Sequence, residues 1–255
     1  MIPAKTIKSI RQGLWENSKD SIRHSLEHFR EVAITKDDKA HHQKWAILSV
    51  HQAAEAFCNI LLLEGSPESI EKDGALRFPS LRFTIDRLLA DTAKFKLSLG
   101  EQRLIQILKE LPEVRDQLMH RPLPNALDHS VAAISLLGLL RFSRNRIGEP
   151  ASRFEYDSPR IEADVFSTIP YKRVEGYCRL AEELLREEYP AHSLGFCGNC
   201  GTHSILSGHC EICFEEMGWF DCLVCGEGNY YAAWELLLNP TKEFECSACG
   251  KINQT

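Results

Sequence analysis

Long uninterrupted apolar runs are absent from this sequence. The longest, Val131 to Leu140, includes Ser135 and runs straight into Arg141, about half of the roughly 20 residues a membrane-crossing helix needs. The N-terminal stretch MIPAKTIKSIRQGLWENSKD carries scattered charges and lacks the apolar core of a secretory signal. A basic excess is also missing: 30 Lys and Arg stand against 36 Asp and Glu, for a formal charge of −6. A general nucleic-acid-coating protein would show the opposite balance. Nor does any internal repeat occur apart from one short cysteine spacing. These absences predict a cytoplasmic protein with no membrane segment.

What is abundant is cysteine, and it is crowded. Of ten cysteines in 255 residues, eight form the CxxC pairs Cys197/Cys200, Cys210/Cys213, Cys222/Cys225 and Cys246/Cys249. Four thiolates make one tetrahedral zinc site, so eight predict two structural Zn²⁺ ions. Glycine follows three of the pairs, in CGNCG, CLVCG and CSACG, where it relaxes the backbone as amides turn toward the sulfurs. GTHSILSGH reads as a tight hairpin, and YYAAWELLLNPTKEFE has length for two strands. Both favour sequential pairing of the cysteines, one ion held by the first four and one by the last four, over an interleaved cross-brace. His203 and His209 are spare donors that neither site requires. Four-thiolate sites leave no open coordination position, so these ions are expected to be structural. Cys58 and Cys178, on helical segments, read as ordinary buried thiols.

Up to Pro190 the apolar spacing is helical. Ile7, Ile10, Leu14, Ile22, Leu26, Phe29 and Val32 form one stripe. KWAILSVHQAAEAFCNILLLEG is apolar on most of its circumference and reads as a central helix ending at Gly65. Shorter periodic pieces cover Leu81 to Leu89 and Leu104 to Met119, the latter interrupted or restarted at Pro112. Residues 127–142 are apolar nearly all round, with Asn125 and Asp128 as candidate caps. Such a helix needs cover on several sides, which predicts a homodimer. Residues 143–169 read as a loop or insertion. Tyr171, Val174, Cys178, Ala181, Leu184 and Leu185 mark a last helix. The expected fold is mainly α: a helical bundle over residues 1–190, then two small β-rich four-cysteine zinc ribbons over residues 191–255.

Three places combine Arg and His at four- or five-residue intervals. Arg23 and His28 lie on an amphipathic helix and read as part of its exposed polar face. Arg186 and His192 straddle Pro190, which no single helix can span. Arg115 and His120, in VRDQLMHRP, follow the central helix directly. VRDQLMHRP and WAILSVHQAAEAFCNILLLE together resemble the HEPN superfamily, helical bundles in which an Arg, four to six residues and a His form a ribonuclease motif. The resemblance spans about residues 7 to 189 and rests on these two segments. It implies a metal-independent endoribonuclease of the defence or toxin type, acting on RNA as a homodimer.

The spacing supports that chemistry. Asp116 and His120 are i, i+4 on one helix face, so the carboxylate can orient the imidazole. His120 is the candidate general acid or base for 2′-hydroxyl attack, and Arg115 the candidate stabiliser of charge growing on the phosphate. Arg115 lies about 140° round the helix from His120, so a composite site from two copies is expected. His51 and Glu55, also i, i+4, are candidates for the same cleft. Arg141, Arg144, Arg146 and Arg153 are a candidate RNA-backbone track, with a solvated loop as the plainer reading. The competing functional reading is a catalytically inactive HEPN-type scaffold or nucleotide-binding module whose zinc ribbons recruit a protein. From Ala191 onward there are two basic residues and eight acidic ones, and each four-thiolate zinc adds about −2. That module is expected to bind protein rather than RNA, either a basic partner or the chain's own arginine-bearing cleft, with Trp219, Phe220, Tyr230, Tyr231 and Trp234 as candidate contacts and filling of the small ribbon cores as the plainer reading for two or three of them.

Overall fold

The structure, a computed structural model, describes residues 3–34, 39–72, 75–120, 129–143, 146, 158–191, 194–206, 208–214, 217–226, 228–232, 243–246 and 249–254. The chain is mainly helical and divides into two compact units, residues 1–173 and 174–255. The division falls near the start of the last helix.

The first unit is built on two long helices, α1 (Ala4–Ile34) and α2 (Lys39–Gly65). On α1 the buried residues are Trp15, Ser18, Ile22, Ser25, Leu26, Phe29 and Val32, spaced to make one stripe of a 3.6-residue period. Full burial starts at Trp15, so Ile7, Ile10 and Leu14 of the expected stripe are only half-buried. The two helices run antiparallel. Arg11 Nε donates to Glu64 Oε1 at 2.7 Å, Trp15 meets Phe57 edge-on at 5.6 Å, and His28 meets His42 near the opposite end.

By length and mean hydropathy α2 could cross a membrane, a property the search for unbroken apolar runs misses. Its apolar window is 83% buried inside the protein, so it serves as the core helix. Against it pack α3 (Leu81–Ala90), α5 (Leu111–His120), α6 (Ser130–Phe142) and a 3-10 turn (Pro67–Ile70), while α4 (Leu99–Leu108) packs on α3 and α6, and α7 (Ser158–Ser167) on α1 and α6; the two-residue strands β1 (Glu71–Lys72) and β2 (Ala75–Leu76) pair antiparallel. At the start of α4, Glu101 N–H donates to Ser98 Oγ at 3.1 Å while Ser98 N–H donates to Glu101 Oε2 at 2.9 Å. This reciprocal cap fixes where α4 begins. Pro112 stands in the first turn of α5, where the missing N–H is harmless, so it restarts the helix and does not kink it.

The packing bears on two expectations. All thirteen residues of α6 are buried within one chain, beneath α1, α2, α4 and α7. Its apolar surface therefore gives no reason for a second copy. The region 143–169 is not wholly a loop, since α7 lies inside it with Val165 and Ile169 buried. The sequence hid α7 because it is short, sparsely apolar and carries Pro159 in its first turn. Asn125 and Asp128 lie outside the described residues.

The second unit carries most of α8 (Tyr171–Glu188) and a set of short strands. β3 (Gly195–Cys197), β4 (Thr202–Leu206) and β5 (His209–Cys210) form an antiparallel three-stranded sheet in that order, which includes the expected hairpin. β6 (Met217–Asp221) pairs with β7 (Gly228–Ala232), and β8 (Glu243–Glu245) with β9 (Ile252–Gln254), both antiparallel. Strands of two to five residues bury too little to stand alone. The cysteines must supply the rest.

Candidate functional site

The eight paired cysteines form two groups in sequence order: Cys197, Cys200, Cys210 and Cys213, then Cys222, Cys225, Cys246 and Cys249. In the first, Cys197 Sγ lies 3.8 Å from Cys213 Sγ and Cys200 Sγ lies 3.7 Å from Cys210 Sγ. In the second, the corresponding pairs are Cys222 with Cys249 at 3.8 Å and Cys225 with Cys246 at 3.7 Å. A tetrahedral ion with metal–sulfur bonds of about 2.3 Å places its sulfurs about 3.8 Å apart. The donor sets fit a metal ion closely.

Each CxxC turn is closed in the same way. The residue after the second cysteine donates its N–H to the carbonyl of the first: Gly201 to Cys197, Gly226 to Cys222 and Gly250 to Cys246 at 2.8 Å, and Phe214 to Cys210 at 3.0 Å. All four have positive φ, between 62° and 72°, the left-handed conformation that glycine adopts freely. Phe214 adopts it without that freedom, which marks how strongly the turn is imposed. Amides of Ile212 and Cys213 point at Cys210 Sγ, at 3.4 and 3.3 Å, and that of Val224 at Cys222 Sγ. These dipoles stabilise thiolate charge. Cys178 on α8 is buried, as expected of an ordinary core thiol. His203 pairs with Glu182 and His209 with Glu211.

The second candidate site is a cavity of about 520 Å³ in the first unit, walled by α1, α2 and α5. It brings together Arg115, Asp116, His51 and Glu55, four residues from two separate segments. Position on α2 explains half of this: His51 and Glu55 lie one turn apart and face α5. Arg115 donates to Asp116 Oδ1 from Nε at 3.0 Å and from the terminal nitrogen at 2.6 Å. Asp116 is thus engaged with its neighbour in sequence. His120 is the last residue of α5, and its side chain lies outside the described residues.

The cavity wall reshapes its titrations. His51 is 4% exposed, and its pKa falls from an ordinary 6.5 to about 4. Burial is the main cause, the Arg115 guanidinium adds to it, and Asp116 opposes it. The ring is neutral at pH 7. Burial raises Glu55, opposed by Arg115 and a backbone hydrogen bond from Leu81. The pair therefore offers a neutral imidazole and a carboxylate with heightened proton affinity beside a fixed cation, a combination suited to holding and moving a proton next to an anion.

The arginine track is not assembled. Arg141 is buried in α6, and Arg146 reaches the carbonyls of Phe95 and Lys96 and the carboxylates of Glu64 and Glu101. Neither is a solvated loop residue; Arg144 and Arg153 lie outside the described residues. Arg186 pairs with Glu182, and His192 also lies outside the described residues.

The Arg23 and His28 pair is likewise not a plain exposed face. Arg23 pairs with Asp20 at 3.6 Å, and half-buried His28 joins a cluster of rings with His24, His42 and Trp45. His24 and Trp45 line the cavity, and the sequence reading missed both. The signal was there in the His-x₃-His spacing of SIRHSLEHF and the adjacent His41 and His42. Comparison with protein-family models, curated proteins and solved structures gives no match.

Proposed function

We propose that the helical unit is a HEPN-type endoribonuclease of the defence or toxin type, acting in the cytoplasm, with the cavity between α1, α2 and α5 as its active site. The observation that carries this reading is the convergence of Arg115, Asp116, His51 and Glu55 on one cavity. Arg115 would stabilise the charge growing on a phosphate, and His120 would move the proton of the attacking 2′-hydroxyl, leaving a cyclic 2′,3′-phosphate. No step is routed through a metal. Two copies meeting at α5 would complete the site, since positions 115 and 120 are about 140° apart round an ideal helix.

We assign Zn²⁺ to both cysteine groups, where four thiolates saturate the ion and leave it structural. With its acidic side chains and thiolate sites, this unit carries roughly −10, repelling phosphate over a Debye length of about 8 Å. It is a docking unit for a protein, with Trp219, Phe220, Tyr230, Tyr231 and Trp234 as candidate contacts.

The second reading is an inactive HEPN-type scaffold or nucleotide-binding module. It is favoured by the short Arg115–Asp116 pair, which partly neutralises the cation that catalysis needs. Incubating purified protein with RNA in EDTA decides between them. The first reading expects cleavage with cyclic-phosphate ends, abolished in Arg115→Ala and in His120→Ala. Absence of cleavage, a requirement for Mg²⁺, or full activity in His120→Ala would overturn it.

A further inference from the structure

Beside that cavity, two histidines one turn apart on α1 point the same atom at each other. His24 Nε2 and His28 Nε2 stand 3.2 Å apart, and their rings meet edge to face at 4.5 Å. The opposite nitrogen of each ring is already engaged: His24 Nδ1 lies 2.8 Å from Ser49 Oγ, and His28 Nδ1 lies 2.9 Å from His42 Nδ1. We propose that His24 and His28 form a binding site for one divalent transition-metal cation through their two Nε2 atoms, with Ser49 and His42 holding the rings in place.

The separation of the two nitrogens suits one ion. Two nitrogens bound to one tetrahedral ion at about 2.0–2.1 Å stand about 3.3 Å apart, close to the separation found here. A metal-binding histidine characteristically donates its other N–H to a partner that fixes its tautomer and orientation. Both histidines have such a partner, from α2 in each case. Without an ion, the 3.2 Å contact holds one proton shared as N–H···N. An ion takes that proton's place, and His28 then donates from Nδ1 to His42.

The surroundings favour lone pairs over charge. Burial and the neighbouring His24, His42 and His41 lower the pKa of His28, against a smaller opposing effect of Glu27, so the ring is available as a neutral ligand. Trp45 stacks on His28 at 6.5 Å and screens that side of the cluster. Imidazole donors select zinc, nickel or copper over magnesium or calcium.

Two protein ligands leave the remaining positions to water, so this site is open where the cysteine sites are closed. Because His24 also lines the cavity, the ion would sit at its rim and add positive charge there. The ribonuclease reading uses other residues, and the two stand or fall separately.

The test is calorimetric titration of Ni²⁺ into the full chain with both cysteine sites filled by zinc. One saturable equivalent binding at about 10 μM or tighter is expected. His24→Ala should abolish it, and Ser49→Ala should weaken it about tenfold or more through loss of the supporting contact. His203→Ala and His209→Ala should leave it unchanged. His24 is exposed, so His24→Gln serves as a second variant that keeps the fold, checked by helical circular dichroism. The absence of a saturable equivalent, or an isotherm unchanged in both folded His24 variants, would overturn the proposal.

Discussion

His51 should make the helical unit acid-sensitive in a way one substitution removes. Its pKa is about 4 in the folded protein against an ordinary 6.5. Above pH 6.5 the ring is neutral in both folded and unfolded chains and contributes no pH dependence. Between 6.5 and 4 the unfolded chain takes up a proton that the folded chain refuses, so stability falls as pH falls. Below 4 both forms are protonated and the loss is complete. One pKa unit corresponds to about 1.4 kcal/mol, which puts the loss at about 3 kcal/mol. Solvent in the cavity screens part of that, leaving about 2 kcal/mol. In His51→Gln this component disappears.

The assay is urea unfolding of both proteins followed at 222 nm, at pH values from 7.5 to 4.5. The acid-labile cysteine sites are common to both chains and cancel in the difference. Wild type should lose about 2 kcal/mol relative to His51→Gln across that window, with the steepest change near pH 5 to 6. Parallel stability curves would refute the reasoning, because they would mean the ring protonates as readily inside the fold as outside it.

Gly65→Ala should destabilise the helical unit by about 1–3 kcal/mol, read as a lower urea midpoint at unchanged slope. The new Cβ would clash with Phe95 Cδ1 and lie 2.9 Å from Cε1, and Phe95 is buried; an unchanged midpoint would show that the ring moves aside freely. Cys210→Ser and Cys246→Ser should each remove one of two thiolate-bound ions, measured by the cobalt–thiolate charge-transfer absorbance of cobalt-reconstituted protein. Loss of both ions from either single substitution would contradict two separate sites.

The sequence by itself determined the elements whose physics is local. A CxxC turn brings two sulfurs together wherever it occurs, and four such turns in order set both four-cysteine groups and the sheet between the first two pairs. The long stripe of α1 and the apolar α2 were readable because burial against a neighbour imposes a period that survives in the residues. What only the tertiary structure decided was which surfaces the helices share. The apolar surface of α6 looked like an interface because a sequence does not show how many helices surround one another, and here α1, α2, α4 and α7 enclose it. Arg141 and Arg146 looked like one basic cluster, yet one is buried in a helix and the other is held by two carboxylates and two carbonyls. His51 and Glu55 were placed on one face by spacing alone, but their approach to Arg115 and Asp116 depends on how α5 packs on α2. His24 and His28 were legible as i, i+4 neighbours; that each ring is held by a residue of α2 while their Nε2 atoms stand 3.2 Å apart is a fact of packing, since no local rule fixes the register of two packed helices.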